Sequence, residues 1–206
     1  MISGIDGLYG ITIDNDPDIE VNVKAALAGG ASVIQYRDKS SSSEKKRKIA
    51  TKLKQLCAGK ALFIINDDVE LAKAAAADGI HLGKDDADIG RARALLGDKI
   101  IGVSCYNRLS LAEAAQAAGV DYVAFGRFFT SSTKPDAAQA SVDLIVQAKK
   151  SLSVPVVAIG GITVNNAGSL IKAGVDSIAV INGLFAQPEI RKTAQAYCAL
   201  FDNINT

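Results

Sequence analysis

Apolar positions along this chain come in two rhythms. Short runs rich in valine, isoleucine and leucine fall near Leu8–Ile13, Val33–Tyr36, Leu62–Ile65, Ile80–Leu82, Ile100–Val103, Tyr122–Phe125, Val156–Ile159 and Ser177–Ile181. After each of them comes a longer segment in which apolar residues recur with helical spacing. These lie near Ile19–Ala28, Ser43–Cys57, Val69–Ala77, Ile89–Leu96, Leu109–Ala118, Val142–Ser151, Val164–Ala173 and Pro188–Phe201. The first rhythm predicts strands buried on both faces, the second predicts amphipathic helices. Strict alternation over the whole length argues for a parallel sheet, and eight such pairs for closure into a single-domain α/β barrel of the TIM (β/α)8 type spanning residues 1–206. A doubly wound open sheet is the structural alternative, but no G-x-G-x-x-G opens the first helix.

One local unit recurs at the junction from helix to strand. It reads Ala28-Gly29-Gly30-Ala31-Ser32-Val33, then Ala76-Ala77-Asp78-Gly79-Ile80, Ala118-Gly119-Val120-Asp121-Tyr122 and Ala173-Gly174-Val175-Asp176-Ser177. In each, an alanine-rich helix end meets a glycine suited to a left-handed C-cap, and a strand begins at once. Connections are short, except that the segment from Gly126 to about Ser141 forms the longest strand-to-helix loop.

Composition narrows the functional classes. Hydrophobic residues make up 49% of the 206-residue chain but aromatic ones only 5%, which suits helices with small faces packed on a parallel sheet. A net charge of +1 gives no reason to expect nucleic acid or an anionic membrane as partner. Cys57, Cys105 and Cys198 form no C-x-x-C pair, so neither zinc nor a disulfide framework is indicated. With no signal peptide and no run of spanning length, a cytoplasmic protein is expected, as monomer or homodimer. The run Glu44-Lys45-Lys46-Arg47-Lys48 reads as the solvated face of the second helix, not as an anion site.

Chemistry gathers where strands end. Barrel strands deliver the residues just past their carboxyl ends to one mouth. After the second strand, Gln35, Arg37 and Lys39 occupy alternate positions and point the same way. The third delivers Asn66, Asp67 and Asp68; the fourth His81, Lys84, Asp85 and Asp86; the fifth Ser104, Cys105 and Asn107; the loop after the sixth Ser131, Thr133 and Lys134. Asp67 and Asp86 end adjacent strands and can share one hard cation such as Mg2+, which is commonly held by one or two carboxylates plus phosphate oxygens. With Arg37, Lys39, Lys134 and hydroxyls beside them, the set describes a site for a diphosphate that leaves. A ring of rim salt bridges is the structural alternative. The lone His81 is expected to be a hydrogen-bonded structural residue, and Cys105 to line the mouth without a base that would make it a nucleophile. At the other side of the mouth, Val154–Gly183 carries Gly160-Gly161 after the seventh strand and Asn182-Gly183 after the eighth. Backbone amides there form a phosphate cup.

Taken in order, Gln35-Tyr36-Arg37-Asp38-Lys39, Ile65-Asn66-Asp67-Asp68, Asp78-Gly79-Ile80-His81-Leu82-Gly83-Lys84-Asp85-Asp86, Gly102-Val103-Ser104, Thr133-Lys134 and Ala158-Ile159-Gly160-Gly161-Ile162 resemble the thiamine-phosphate synthase family from first strand to last. The resemblance implies that hydroxymethylpyrimidine diphosphate loses pyrophosphate and the nitrogen of hydroxyethylthiazole phosphate captures the resulting methylene cation. It implies that Gln35 bonds the pyrimidine, that Arg37, Lys39, Asn66, Ser104 and Lys134 grip the diphosphate, and that Asp67 and Asp86 hold Mg2+. Ser131 and Thr133 fall on the thiazole side, with Gly161 and the backbone at Ile181 and Asn182 on the thiazole phosphate. Such a step needs neither an acid–base pair nor a protein nucleophile.

Two departures from the family pattern stand out. Cys105-Tyr106-Asn107 follows Gly-Val-Ser where the family commonly has a residue and then histidine. Gly126 is followed by Arg127, and Thr130-Ser131 replaces Pro-Thr, which predicts a more mobile loop suited to a lid. A thiazole tautomerase of the same fold resembles the synthase but lacks the diphosphate residues present here. A non-catalytic barrel that senses thiamine precursors predicts binding without turnover.

Overall fold

The computed structural model describes residues 4–83, 88–130 and 139–202. Its strands are β1 (Gly7–Ile11), β2 (Val33–Tyr36), β3 (Leu62–Asn66), β4 (Gly79–Leu82), β5 (Ile100–Tyr106), β6 (Tyr122–Gly126), β7 (Val156–Ile159) and β8 (Ser177–Val180). Alternating with them are α1 (Ile19–Ala28), α2 (Ser43–Cys57), α3 (Val69–Ala74), α4 (Ile89–Leu96), α5 (Leu109–Ala117), α6 (Val142–Ser151) and α7 (Ala167–Lys172), followed after β8 by α8 (Asn182–Phe185) and α9 (Ile190–Asp202). The eight strands pair in sequence order, all parallel, and β8 returns to β1 to close the barrel.

Closure splits the strand residues between two cores. Leu8, Ile34, Phe63, Ile65, Ile80, Val123, Ala158 and Ile178 face outward onto helix residues such as Ala26, Leu53, Ala92, Ala112, Ile145 and Leu170. Their neighbours Tyr9, Val33, Ile64, Tyr122, Ala124, Val157 and Ala179 point inward and fill the barrel. The period of two along each strand, applied to a closed sheet, produces this division. Helices begin where polar side chains cap them: Ser42, Asp68 and Asp88 accept bonds from the N–H groups of Lys45, Leu71 and Arg91. The basic run on α2 lies outside, with Lys48 paired to Glu44 while Ala50, Leu53 and Cys57 face the core.

Some boundaries differ from the sequence expectation. β5 runs on to Tyr106 through a register shift between Ser104 and Tyr106, which apolarity alone does not signal. α7 starts at Ala167, because the preceding residues build a turn in which Asn166 Oδ1 accepts from Thr163 N–H. The short α8 was not anticipated, since four residues carry no periodicity. In the repeated junction, the left-handed residue is Gly30, Gly119 and Gly174 in three copies, but Ala76 (φ 49°) in the second, while Gly79 sits in the strand. A Cβ on Gly79 would stand 2.3 Å from Ile100 O, so that glycine serves close strand packing instead.

The junction also carries a clamp. Asp78, Asp121 and Asp176, each just before an even-numbered strand, accept from the N–H of Phe63, Ile101 and Val156 on the preceding strand, at 2.8, 2.8 and 2.7 Å. Each carboxylate also pairs with a cation from the helix before that strand: Lys54, Arg93 and Lys149. These clamps lie at the end of the barrel opposite the mouth. Among the described residues, no helix is long and apolar enough to cross a membrane.

Candidate active site

The carboxyl ends of the strands enclose a cavity of about 160 Å³. Gln35, Arg37, Asn66 and Ser104 all line it, together with Tyr9, His81, Tyr106, Tyr122 and Arg127. Alternation along β2 accounts for Gln35 and Arg37 sharing the cavity while Tyr36 and Asp38 turn away, where the Tyr36 hydroxyl donates to Asp38 Oδ2. Lys39, the third of the alternate set, is exposed at the rim with its Nζ 3.5 Å from Asp67 Oδ2.

The end of β1 braces the end of β2. Thr12 Oγ1 accepts from Arg37 N–H and donates to Arg37 O, and Asp14 Oδ2 accepts from Arg37 Nη1 at 3.0 Å. Asp14 was not among the expected site residues, because nothing in its sequence neighbourhood marks it as the partner of a residue 23 positions later. It fixes the guanidinium at the cavity wall. The rim cations described here therefore do engage carboxylates, as the salt-bridge alternative foresaw, yet Arg37 still faces the cavity.

Asp67 takes a left-handed backbone (φ 62°), which aspartate tolerates better than most residues. Its Oδ1 accepts from Gly83 N–H, and its Oδ2 accepts from Asn66 Nδ2 at 2.6 Å beside Lys39. The carboxylate is thus held at the junction of β3 and β4. Asp86, its expected partner for a cation, lies outside the described residues, as do Ser131, Thr133 and Lys134. Among the described residues, no three His, Cys, Asp or Glu side chains converge on a metal position. A set of one or two carboxylates completed by substrate oxygens still fits Asp67.

The floor of the cavity is a hydrogen-bonded chain. Gln35 Nε2 donates to the Tyr9 hydroxyl at 2.7 Å, and the Tyr9 and Tyr122 hydroxyls lie 2.9 Å apart. His81 Nδ1 is 2.9 Å from the Tyr122 hydroxyl, and His81 Nε2 is 2.9 Å from Ser104 Oγ. Burial pushes both tyrosines well above the usual phenol range, so they remain protonated. His81 is hydrogen-bonded, as anticipated, but it belongs to the cavity wall and not to the packed core. Tyr9 and Tyr122 were missed altogether. The signal that points to them is Gly102 in mid-strand: a Cβ there would stand 1.9 Å from Tyr122 Cζ, so the glycine makes room for the ring.

Cys105 does not line the mouth. It is the extra residue at the register shift of β5, its side chain is buried in the outer core, and burial pushes its thiol up to about 12. Plain alternation along β5 sends Ser104 and Tyr106 to the cavity and Ile101, Val103 and Cys105 to the outer core.

A second cavity, of about 300 Å³, adjoins the first across Ile159, Gly160, Ala179 and Ile181. Its lining includes Gly160-Gly161 after β7 and Ile181-Asn182-Gly183 after β8, with Thr130, Thr163 and Gln187 beside them. Gly160 (φ 104°) and Gly161 (φ 65°) are both left-handed, and a Cβ on Gly161 would lie 2.3 Å from Thr130 O. The Tyr197 hydroxyl of α9 lies 3.2 Å from Ile162 O and 3.3 Å from Gly183 O, tying the two lobes together. The mouth is therefore divided into one cavity where Gln35, Arg37, Asn66 and Ser104 bring polar side chains to a largely apolar wall, and one flanked by the glycine-bearing loops after β7 and β8.

Comparison with known proteins agrees with this geometry. Residues 8–184 match the family model described as thiamine monophosphate synthase. Over 200 residues the chain is 50% identical to the thiamine-phosphate synthase of Thiobacillus denitrificans, covering 95% of this chain and 94% of that one. The Nitrosococcus oceani thiamine-phosphate synthase is 50% identical over 210 residues, covering 100% and 97%. Among solved structures, thiamine phosphate pyrophosphorylase from Pyrococcus furiosus superposes with a TM-score of 0.90 at 34% identity, covering 97% of both chains. At 15% identity and a TM-score of 0.72, thiamine phosphate pyrophosphorylase from Bacteroides thetaiotaomicron shares the fold. With half of its residues shared with such relatives over nearly its full length, this chain belongs to the thiamine monophosphate synthase family.

Proposed function

We propose that this chain joins 4-amino-2-methyl-5-hydroxymethylpyrimidine diphosphate to 4-methyl-5-(2-hydroxyethyl)thiazole phosphate, releasing pyrophosphate and thiamine phosphate. The observation that carries the reading is the divided mouth. A diphosphate that must leave calls for cationic, amide and hydroxyl donors, which the first cavity has in Arg37, Asn66 and Ser104. A phosphate that must only be held suits main-chain N–H groups, which the second cavity offers at Gly161 and around Asn182.

The reaction then runs between the two cavities. Gln35 orients the aminopyrimidine, whose ring stabilises the methylene cation as the carbon–oxygen bond to diphosphate breaks. Arg37, held by Asp14, and Ser104 stabilise charge growing on the departing oxygen, with Lys39 and Lys134 completing the positive set. Asp67 and Asp86 would hold Mg2+, which when bound neutralises diphosphate charge. The thiazole, held by its phosphate on the glycine side and flanked by Ser131 and Thr133, presents its nitrogen to the cation across the shared wall of Ile159 and Ile181. Orientation and preorganised charge supply the catalysis. Cytoplasmic placement fits the three free thiols.

The test is to mix both substrates with Mg2+ and assay thiamine phosphate and pyrophosphate. Stoichiometric appearance of the two products is expected. Binding of both substrates without turnover would replace this reading with the sensor.

A further inference from the structure

The chain Gln35–Tyr9–Tyr122–His81–Ser104 joins five strands across the floor of the first cavity. Each hydroxyl in it has one proton to give. Among the described residues, the Tyr9 hydroxyl meets only Gln35 and Tyr122, and the Tyr122 hydroxyl meets only Tyr9 and His81. With a neutral imidazole, one hydrogen bond therefore sets the direction of the next, and the chain has two self-consistent senses.

In the first sense, Gln35 Nε2 donates to Tyr9, Tyr9 to Tyr122, and Tyr122 to His81 Nδ1. His81 then carries its proton on Nε2 and donates to Ser104 Oγ, so the Ser104 proton is turned into the cavity. Gln35 keeps its carbonyl oxygen as an acceptor. In the second sense every bond reverses: Ser104 gives its proton to His81, His81 carries its proton on Nδ1, and Gln35 spends its carbonyl on Tyr9. Only the first sense presents a donor to an anion at the Ser104 end and an acceptor to an amine at the Gln35 end. It is also the sense in which Gln35 Nε2 faces Tyr9.

We infer that Tyr9, Tyr122 and His81 are positioning residues that transmit one proton order from Gln35 to Ser104, making Ser104 an obligatory donor to the leaving diphosphate. The substrate assignment rests on the proposed function; the proton order does not. As charge moves during the reaction, the amine end becomes more positive and the diphosphate end more negative, and a polarised chain favours both changes at once. His81 stacks on Tyr122 with ring centroids 5.5 Å apart and planes at 29°, which holds the imidazole in place between its two partners.

The chain contains a single histidine, so its imidazole nitrogen resonances are unambiguous. In 15N-histidine-labelled protein without substrate, we expect Nε2 to carry the proton and Nδ1 to be an acceptor. A proton on Nδ1 would overturn the proposal. This readout needs no turnover, so it can fail while thiamine phosphate is made, or hold while none is made. Kinetics give the second arm. Tyr122→Phe preserves the ring but removes the donor to Nδ1, and should lower kcat about 10- to 100-fold, in the range of residues that orient a contacting group. In a Ser104→Ala background the same change should cost less than about twofold, because Tyr122 acts through Ser104. Equal costs in both backgrounds would mean that Tyr122 only supports the fold or touches substrate itself, and would sink the inference.

Discussion

Replacing Gly161 by alanine separates the two cavities experimentally. The residue sits at φ 65°, where an alanine costs about 1–2 kcal/mol of backbone strain. Its Cβ would lie 2.3 Å from Thr130 O and 2.7 Å from the Phe129 carbonyl carbon, both backbone atoms that cannot rotate away. Overpacking of that kind adds roughly 1–3 kcal/mol. The sum stays below the ~5–15 kcal/mol of a typical domain, so the protein should fold with a lowered denaturant midpoint. Displacing the Gly161 N–H from a phosphate should remove a charge-assisted hydrogen bond of about 1.5–3 kcal/mol, or roughly 10- to 100-fold in KM for thiazole phosphate. The KM for the pyrimidine diphosphate should hardly move. Gly168→Ala is the internal control: it lies in α7, nothing stands within 4 Å of its Cβ, and it should stabilise by about 0.5–1 kcal/mol without kinetic effect. Steady-state kinetics in each substrate, with urea denaturation alongside, decide the matter. A Gly161→Ala enzyme with unchanged KM for thiazole phosphate, or with the loss confined to the diphosphate, would refute the assignment of the glycine-flanked cavity to the held phosphate.

Four further outcomes are expected. Asp67→Asn keeps a residue that tolerates the left-handed backbone and should abolish Mg2+-dependent pyrophosphate release while leaving thermal unfolding near wild type; full activity would end the metal assignment. Arg37→Ala should lower kcat for pyrophosphate release far more than it raises the Kd for thiazole phosphate, measured by single-turnover kinetics and calorimetry. Asp121→Ala removes the acceptor of Ile101 N–H and the partner of Arg93, and should cost about 1–3 kcal/mol in denaturant unfolding with kcat unchanged. Cys105 and Cys57, whose thiols burial pushes up to about 12, should resist a thiol reagent at pH 8 until urea unfolds the protein, and rapid labelling of Cys105 would contradict its burial.

Much of this molecule could be read from its sequence, and the reason is periodicity. Val156–Ile159 and Ile100–Val103 announce buried strands through composition alone, and alternation along Gln35-Tyr36-Arg37 was enough to aim two side chains into the cavity. What stayed hidden depends on contacts between distant strands. Tyr9 and Tyr122 look like ordinary core aromatics, and only barrel closure brings their hydroxyls to 2.9 Å across 113 residues. Asp14 looks like a loop residue until β1 and β2 are placed side by side. Cys105 was misjudged because the alternation that aims Gln35 and Arg37 was not carried along β5, where it turns Ser104 inward and Cys105 outward. The glycine cup was legible as a motif, whereas its tie through Tyr197 of α9 was not.

The clamps of Asp78, Asp121 and Asp176 bear on how such a barrel can be taken apart. Each unites a helix, the strand after it and the start of the next strand: α2 with β3 and β4, α4 with β5 and β6, α6 with β7 and β8. None bridges from β4 to α4 or from β6 to α6. The ring is thus jointed in pairs of strands, and cutting the chain after an even-numbered strand spares every clamp, whereas cutting after β3, β5 or β7 breaks one. Strand ends at the mouth can vary in chemistry while these joints, at the opposite end, keep the register of the barrel that presents them.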